Sequence, residues 1–123
     1  MNRALIISLA GELIRVLPER IVYIESDGNY STLILHDNLQ QVFSFNLSHF
    51  QQIIERQLKK ADASRFIRVG RSIIINREYI YKINPGKQQL VLSDNRLNEA
   101  FTLTASREAL RQLKLLLEKE VIQ

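Results

Sequence analysis

Four arginines lie within residues 65–77, a segment that has no acidic side chain and that also holds the apolar run 73–75. A guanidinium group can bond a phosphate, or the edge of guanine, through two parallel hydrogen bonds. Arg68 and Arg71 flank Gly70, whose missing side chain lets the backbone approach another surface closely. If the isoleucines form a buried strand, both arginines lie at its rim. The segment therefore predicts contact with a polyanion.

Acidic residues elsewhere supply a competing explanation. Glu25, Glu55 and Glu78 can pair with the arginines on the surface, where an exposed ion pair is worth about 0–1 kcal/mol. This explanation is weaker for the whole set of arginines than for any one of them.

A second polar cluster, TASREALR (residues 104–111), begins the last predicted helix. Unbonded backbone N–H groups at a helix start favour a phosphate, here beside Ser106 and Arg107. A positive charge at Arg107 opposes the helix dipole, which indicates that this residue serves a partner.

A third polar cluster, ESDGNYS (residues 25–31), follows another predicted strand. Gly28 tolerates positive φ, and its Asp and Asn neighbours bond their own backbone, so the cluster predicts a turn. The tip of this turn carries Asn29, Tyr30 and Ser31. By residue type alone, these three favour ordinary turn chemistry over a binding role.

The positive charge is concentrated in the second half of the chain. The 123 residues are 46% hydrophobic and carry a net charge of +4, which predicts a single domain over residues 1–123. Residues 1–63 hold six Lys and Arg against seven Asp and Glu, or −1, whereas residues 64–123 hold eleven against six, or +5. The uneven distribution favours a polyanionic partner over general solubility.

The chain is poor in residues for catalysis, metals and cofactors. It has no Cys, its histidines His36 and His49 lack metal-ligand spacing, and its four glycines are scattered singly. We therefore expect no enzyme activity, no cofactor and no metal. The lack of Cys fits a cytoplasmic protein, and the apolar patch 4–10 is too short for a membrane span.

Apolar segments separated by turn residues predict at least seven strands. Residues 5–9 and 13–17 predict a first hairpin, and RIVYIES predicts a strand that is covered on both faces. The residues NPGK (84–87) predict a tight turn between two later strands. Because tight turns join most neighbouring strands, antiparallel pairing is expected.

Two segments have helical spacing. Asn46 or Ser48 can cap the first, which is expected to end near Lys60, and Thr104 or Ser106 can cap the last. Their apolar stripes are Leu47, Phe50, Ile54 and Leu58 in the first helix, and Leu110, Leu113, Leu117 and Val121 in the last. The predicted fold class is mostly β with two helices.

Together these segments resemble the LytTR family of bacterial DNA-binding domains. The landmarks, in order, are IVYIESDGNYSTLIL, a capped helix, RFIRVGRSIIINREYIYKI, a strand and LTASREALRQL. The resemblance covers about residues 5–117. It implies an elongated stack of small antiparallel β-sheets rather than a helix-turn-helix.

The resemblance also implies sequence-specific binding of double-stranded DNA by the DNA-binding domain of a bacterial transcription regulator. In this family, loops on one side enter successive grooves, and two copies commonly bind direct-repeat sites. Carried over by position, the DNA contacts are Asn29, Tyr30, Ser31, Arg68, Gly70, Arg71, Ser72, Ser106 and Arg107. Among them, Arg71 is our choice for the base contact.

Other matched positions are expected to be structural. Phe66 and residues 73–75 anchor a strand, and Asn76 holds backbone, with a phosphate contact as the open alternative. Arg65 and Arg77 gain no role from the resemblance and are expected to be surface charges.

Two other functions stay open on the residues alone: a protein-interaction module that uses a sheet edge or the last helix, and an RNA-binding β domain. Family members usually carry this domain behind the receiver domain of a two-component response regulator or beside membrane segments. This sequence has neither, so it is either a stand-alone member or a piece of a longer protein. The implied partners are double-stranded DNA, a second copy on an adjacent half-site and a regulatory protein, with no membrane.

Overall fold

The computed structural model describes residues 3–121. These residues form ten β-strands, which pair into three antiparallel sheets, and three α-helices. The strands are β1 (Leu5–Ser8), β2 (Leu13–Val16), β3 (Ile21–Asp27), β4 (Tyr30–Leu35), β5 (Gln40–Phe43), β6 (Phe66–Val69), β7 (Ile73–Asn76), β8 (Ile80–Asn84), β9 (Gln89–Leu92) and β10 (Phe101–Thr104). The helices are α1 (Leu47–Gln57), α2 (Lys60–Ala63) and α3 (Arg107–Glu118), with short 3₁₀ helices at Pro18–Arg20 and Arg77–Tyr79. The predicted mostly β fold is confirmed, and α2 is an addition that the sequence did not indicate.

The five-stranded sheet, ordered β5-β4-β3-β7-β6, is the central layer of the fold. Other elements pack on both of its faces. On one face, the β1–β2 hairpin and α1 form a first core with Ile24 and Ile74. On the other face, the sheet β10-β9-β8 and α3 form a second core with Tyr23 and Ile75. Residues 73–75 of β7 therefore alternate between the two cores, as do Tyr23 and Ile24 of β3, whereas Val22 lies in the second core together with Tyr23, beside a register shift in β3. Because both faces are buried, both strands contain continuous apolar runs.

Both predicted helices are present, and each begins with a side-chain cap. The Oδ1 atom of Asn46 accepts a hydrogen bond of 2.9 Å from the backbone N–H of His49, at the start of α1. The Oγ atom of Ser106 accepts one of 3.1 Å from the backbone N–H of Ala109, at the start of α3. Each cap satisfies a backbone donor that has no partner within its own helix.

The predicted end of the first helix is wrong, and so is the place of Val121 in the apolar stripe of the last helix. Helix α1 ends at Gln57 rather than near Lys60, because Leu58 adopts an extended conformation and its side chain packs in the first core. Helix α3 ends at Glu118, and Val121 beyond it is 55% exposed, so it does not belong to the buried stripe. No helix within residues 3–121 is long and apolar enough to cross a membrane.

Arg65 and Arg77 form ion pairs within the protein. Nη1 of Arg65 lies 2.9 Å from Oε2 of Glu78, and its Nη2 lies 3.1 Å from Oδ1 of Asp62. Arg77 pairs with Glu120. The Arg65 side chain is only 16% exposed, so this residue is a partly buried ion-pair partner rather than the surface charge that the sequence indicated.

Asp62 accepts hydrogen bonds from both Arg3 and Arg65. Its replacement by asparagine is expected to lower stability at neutral pH more than in acid. Nη2 of Arg3 donates to Oδ1 of Asp62 at 2.9 Å, and this hydrogen bond holds the pKa of Asp62 below its ordinary value although burial opposes it. We expect Asp62→Asn to lower the free energy of unfolding by about 1–2 kcal/mol at pH 7.

The sign follows from the direction of the pKa shift. A carboxyl group whose folded-state pKa is lowered stabilises the protein above its unfolded-state pKa of about 4, and that stabilisation is lost as pH falls through the folded value. Urea titrations at pH 7 and at pH 2.5 to 3 (about one unit below the unfolded value) should therefore show a difference between wild type and Asp62→Asn that shrinks in acid. Glu99→Gln, at an exposed site, is the control, and a difference independent of pH would contradict the prediction.

Candidate nucleic-acid interface

The topology brings two of the predicted contact segments to one end of the central sheet. Strand β3 runs antiparallel to β7, with Glu25 opposite Ile73, so the end of β3 lies beside the start of β7. The backbone N–H of Ser26 donates a 2.8 Å hydrogen bond to the carbonyl oxygen of Ser72. The β3–β4 turn (residues 28–29) and the β6–β7 turn (residues 70–72) are therefore neighbours.

The start of α3 completes the same end of the molecule. An open groove of about 480 Å³ is lined by the β6–β7 turn on one side and by residues 104–106 and the first turns of α3 on the other. Gly70 has a φ of +63°, and a Cβ added to it would lie 3.4 Å from Cβ of Ala109. The close approach and the left-handed backbone both favour glycine here. We call these three segments, residues 28–31, 68–72 and 104–107, the loop face.

Most of the predicted contact residues point outward from the loop face. Asn29, Ser72, Ser106 and Arg107 are exposed, and Tyr30 is 53% exposed. The hydroxyl oxygen of Ser106 already accepts the hydrogen bond that caps α3. The hydroxyl can still donate a hydrogen bond to a partner.

Arg71 and Arg107 are the free cations of this surface. Both are exposed, and neither side chain has a hydrogen bond or an ion pair to any residue in the described part of the chain. The competing explanation, pairing with Glu25, Glu55 or Glu78, therefore does not hold for Arg71. Guanidinium groups without protein partners are available to phosphates and base edges.

Ser31 differs from the exposed contact residues, and its burial argues against the prediction that it contacts DNA. It is fully buried, and its Oγ donates a 2.7 Å hydrogen bond to the carbonyl oxygen of Phe45. Strand β4 pairs with β3 and β5, and Ser31 lies on the same face of β4 as Leu33, which packs in the first core. The side chain holds the segment that leads into α1 instead of facing solvent.

We expect Ser31→Ala to reduce stability without reducing DNA affinity. Losing the hydroxyl leaves the carbonyl of Phe45 without this donor, which should lower the free energy of unfolding by about 1 kcal/mol. Urea unfolding measures the first effect and duplex titration of the folded variant measures the second. Ser44→Ala, at an exposed site close by, should change neither, and a loss of affinity in fully folded Ser31→Ala would restore Ser31 to the contact set.

Arg68 differs from Arg71 because protein groups occupy its guanidinium. Its Nη1 donates to Oγ of Ser48 at 3.0 Å and to Oε1 of Gln51 at 3.1 Å, and its Nη2 donates to the carbonyl oxygen of Arg71 at 3.0 Å. The sequence did not indicate that Ser48 and Gln51 would bond an arginine. Ser48 and Gln51 have the spacing of a capping box, but Asn46 is the cap of α1 and both side chains accept hydrogen bonds from Arg68.

The β8–β9 turn (residues 85–88) is a further element that the sequence did not assign to this end. Thr104 pairs with Gln89, and the backbone N–H of Ala105 donates to the carbonyl oxygen of Gln88 at 3.3 Å. The turn therefore lies beside the start of α3. It carries Lys87, an exposed cation that has no ion pair among residues 3–121. The only signal in the sequence was a lysine at the tip of a predicted turn.

Acidic groups are also present at this end. Glu25 and Asp27 are exposed, and Glu108 lines the groove, where its Oε2 lies 3.9 Å from Nη1 of Arg111. Within the described residues, no group of three His, Asp or Glu side chains is arranged to hold a metal ion. The cations Arg68, Arg71, Lys87 and Arg107 are thus interspersed with acidic side chains at this end.

Comparison with known proteins agrees with this geometry. A family model described as the LytTr DNA-binding domain matches residues 11–118. The fold is similar to a solved structure from Bacillus cereus, described as the LytTr DNA-binding domain of a methyl-accepting/DNA response regulator, with a TM-score of 0.64 and 21% sequence identity. The alignment covers 95% of this chain and 98% of that one. No curated protein matches the sequence.

Proposed function

Because the chain belongs to the family of LytTr DNA-binding domains, we propose that it binds double-stranded DNA sequence-specifically, as the DNA-binding domain of a bacterial transcription regulator. The observation that carries this proposal is the convergence of the β3–β4 turn, the β6–β7 turn and the start of α3 on one loop face. Two arginines without protein partners project from it. Turns on a rigid sheet can enter a groove while the sheet keeps their spacing fixed.

The side chains divide into two kinds of contact. Lys87, Arg107 and the backbone N–H groups at the start of α3 are suited to phosphates, which supply affinity and register. Arg71 projects from the tip of the β6–β7 turn and is suited to a guanine edge in the major groove. Asn29 and Tyr30 supply polar contacts on the neighbouring turn.

The regulatory setting is part of the proposal. The similar Bacillus cereus domain is described as that of a response regulator, and we propose that this chain likewise acts in the cytoplasm as the output of a bacterial two-component system. A regulatory protein would then control it, and two copies would occupy the half-sites of a direct repeat. Each copy would place its own loop face on one half-site.

Selection of bound duplexes from a random pool tests the proposal. We expect enrichment of two similar half-sites in direct repeat, and an affinity that falls steeply with salt as counterions are released from the phosphates. Recovery of no sequence above background would contradict sequence-specific binding. Binding without salt dependence would favour a protein-interaction module instead.

The aromatic residues give little support to RNA binding. RNA-binding sheets stack bases on clustered exposed aromatic side chains. Of the four tyrosines, Tyr23 and Tyr79 are buried in the second core, whereas Tyr30 and Tyr81 are exposed on different elements. The tyrosines therefore form no stacking platform.

A further inference from the structure

Arg68 joins two elements that are separate in the sequence. Three hydrogen bonds of 3.0–3.1 Å connect its guanidinium to Ser48 and Gln51 of α1 and to the backbone carbonyl of Arg71 in the β6–β7 turn. All three acceptors are neutral, and no carboxylate lies within ion-pair distance of Arg68 in the described chain. The planar guanidinium suits this task, since its donors point in fixed and different directions.

The β6–β7 turn is fixed from two sides as a result. The Arg68 guanidinium holds the carbonyl of Arg71, and the N–H of Ser26 holds the carbonyl of Ser72. Gly70, with a φ of +63°, gives the turn the left-handed residue that its shape requires. The Arg71 side chain, which has no partner within the described residues, thus extends from a turn whose backbone is held.

We infer that Arg68 is a positioning residue, which binds no DNA itself and orients the backbone from which Arg71 reaches a base. This inference rests on the proposed function and replaces the sequence-based assignment of Arg68 as a DNA contact. A turn that is ordered before binding loses less entropy when DNA binds, so its affinity and selectivity are higher. Ser48 and Gln51 are then the anchors on α1 that make the positioning possible.

Variants of Arg68 distinguish positioning from a direct contact. Dissociation constants are measured on the selected duplex and on a scrambled duplex, at several salt concentrations. We expect Arg68→Ala to weaken binding to the selected duplex about tenfold and to change binding to the scrambled duplex by less than about twofold. Arg68→Lys should behave like Arg68→Ala, because one ammonium group cannot bridge α1 and the turn with the geometry of a guanidinium.

A double-mutant cycle with Arg71 supplies the second test. In an Arg71→Ala background, Arg68→Ala should cost nothing further, since no side chain is left to position. The double variant Ser48→Ala, Gln51→Ala keeps Arg68 and should reproduce part of the tenfold loss, which preserves the test if Arg68→Ala does not fold. Arg56→Ala, an exposed arginine on α1, is the control and should bind like wild type.

The outcomes separate the two hypotheses. Full recovery in Arg68→Lys, equal losses on both duplexes or additivity with Arg71→Ala would overturn the positioning role and make Arg68 a phosphate contact. Wild-type affinity in every folded Arg68 variant would also overturn it, while leaving the proposed function intact. A wild-type protein that selects no duplex would instead remove the proposed function, and this inference with it.

Discussion

Replacing Arg71 with alanine is expected to weaken binding to the preferred duplex by about 1–3 kcal/mol and to relax the preference at one base pair. The side chain is exposed at the tip of the β6–β7 turn, and no residue among 3–121 bonds its guanidinium. A bidentate contact to guanine discriminates strongly, because a wrong base leaves donors of the guanidinium unpaired. The variant should keep the stability of the wild type, since no contact within the protein is lost.

Titration of duplexes that carry each of the four bases at every position of the half-site measures this effect. We expect one position to lose its preference while the others keep theirs. Arg56→Ala removes the same charge from α1 and should leave the profile unchanged. If Arg71→Ala instead weakens all duplexes equally and reduces the salt dependence by about one counterion, Arg71 contacts a phosphate rather than a base.

The arginine segment illustrates which properties of the site were accessible from the sequence. The apolar run 73–75 predicted a buried strand, and the structure confirms it, whereas the turn at residues 70–72 before this strand was not predicted. The strand could be predicted because its apolar run is a local property of the sequence. The four arginines have similar sequence surroundings and differ only in which distant side chains approach them.

The sequence offered Glu78 as a partner for any of the arginines, but it did not indicate which arginine would pair with it or which other groups would bond the rest. Arg65 bonds Glu78, whereas Arg68 bonds Ser48, 20 residues earlier in the chain, and Arg71 has no partner within the described residues. Tertiary contacts thus decide that Arg65 forms ion pairs, that Arg68 bonds neutral groups and that Arg71 is free. The free arginine, Arg71, is the one that we propose as the base contact.

Ser31 shows the same limit for a turn. Its place in the polar run ESDGNYS predicted exposure, as is normal for a turn residue. In the structure Ser31 is fully buried on the face of β4 that also carries Leu33 into the first core, and the carbonyl of Phe45 accepts the hydrogen bond of its hydroxyl. Only the pairing of strands decides which residue of such a run faces inward.

The end of α1 was missed because the burial of Leu58 outweighed its helical spacing. Leu58 continues the helical stripe of α1, so its spacing predicted one more turn of helix. In the structure it leaves the helix in an extended conformation and packs in the first core. The four-residue helix α2 then follows and places Asp62 next to Arg65.

Asn76 connects the end of β7 to two neighbouring segments, and its replacement by alanine is expected to be the most destabilising of the changes considered. Asn76 is fully buried. Its Nδ2 donates to the carbonyl oxygen of Ile21 at 2.9 Å, and its Oδ1 accepts from the backbone N–H of Glu78 at 3.0 Å. The alternative that Asn76 reaches a phosphate is therefore wrong, because the side chain has no access to solvent.

Asn76→Ala removes a donor and an acceptor at once and leaves two backbone groups without these partners. We expect the free energy of unfolding to fall by about 2–3 kcal/mol, as measured by urea titration. Asn98→Ala, at an exposed site, is the matched control and should change it by less than about 0.5 kcal/mol. Asn76 lies at the end of β7 opposite the loop face, so the folded variant should keep the affinity, base preferences and salt dependence of the wild type. A stable Asn76→Ala protein with a reduced salt dependence would show that this asparagine contacts DNA after all.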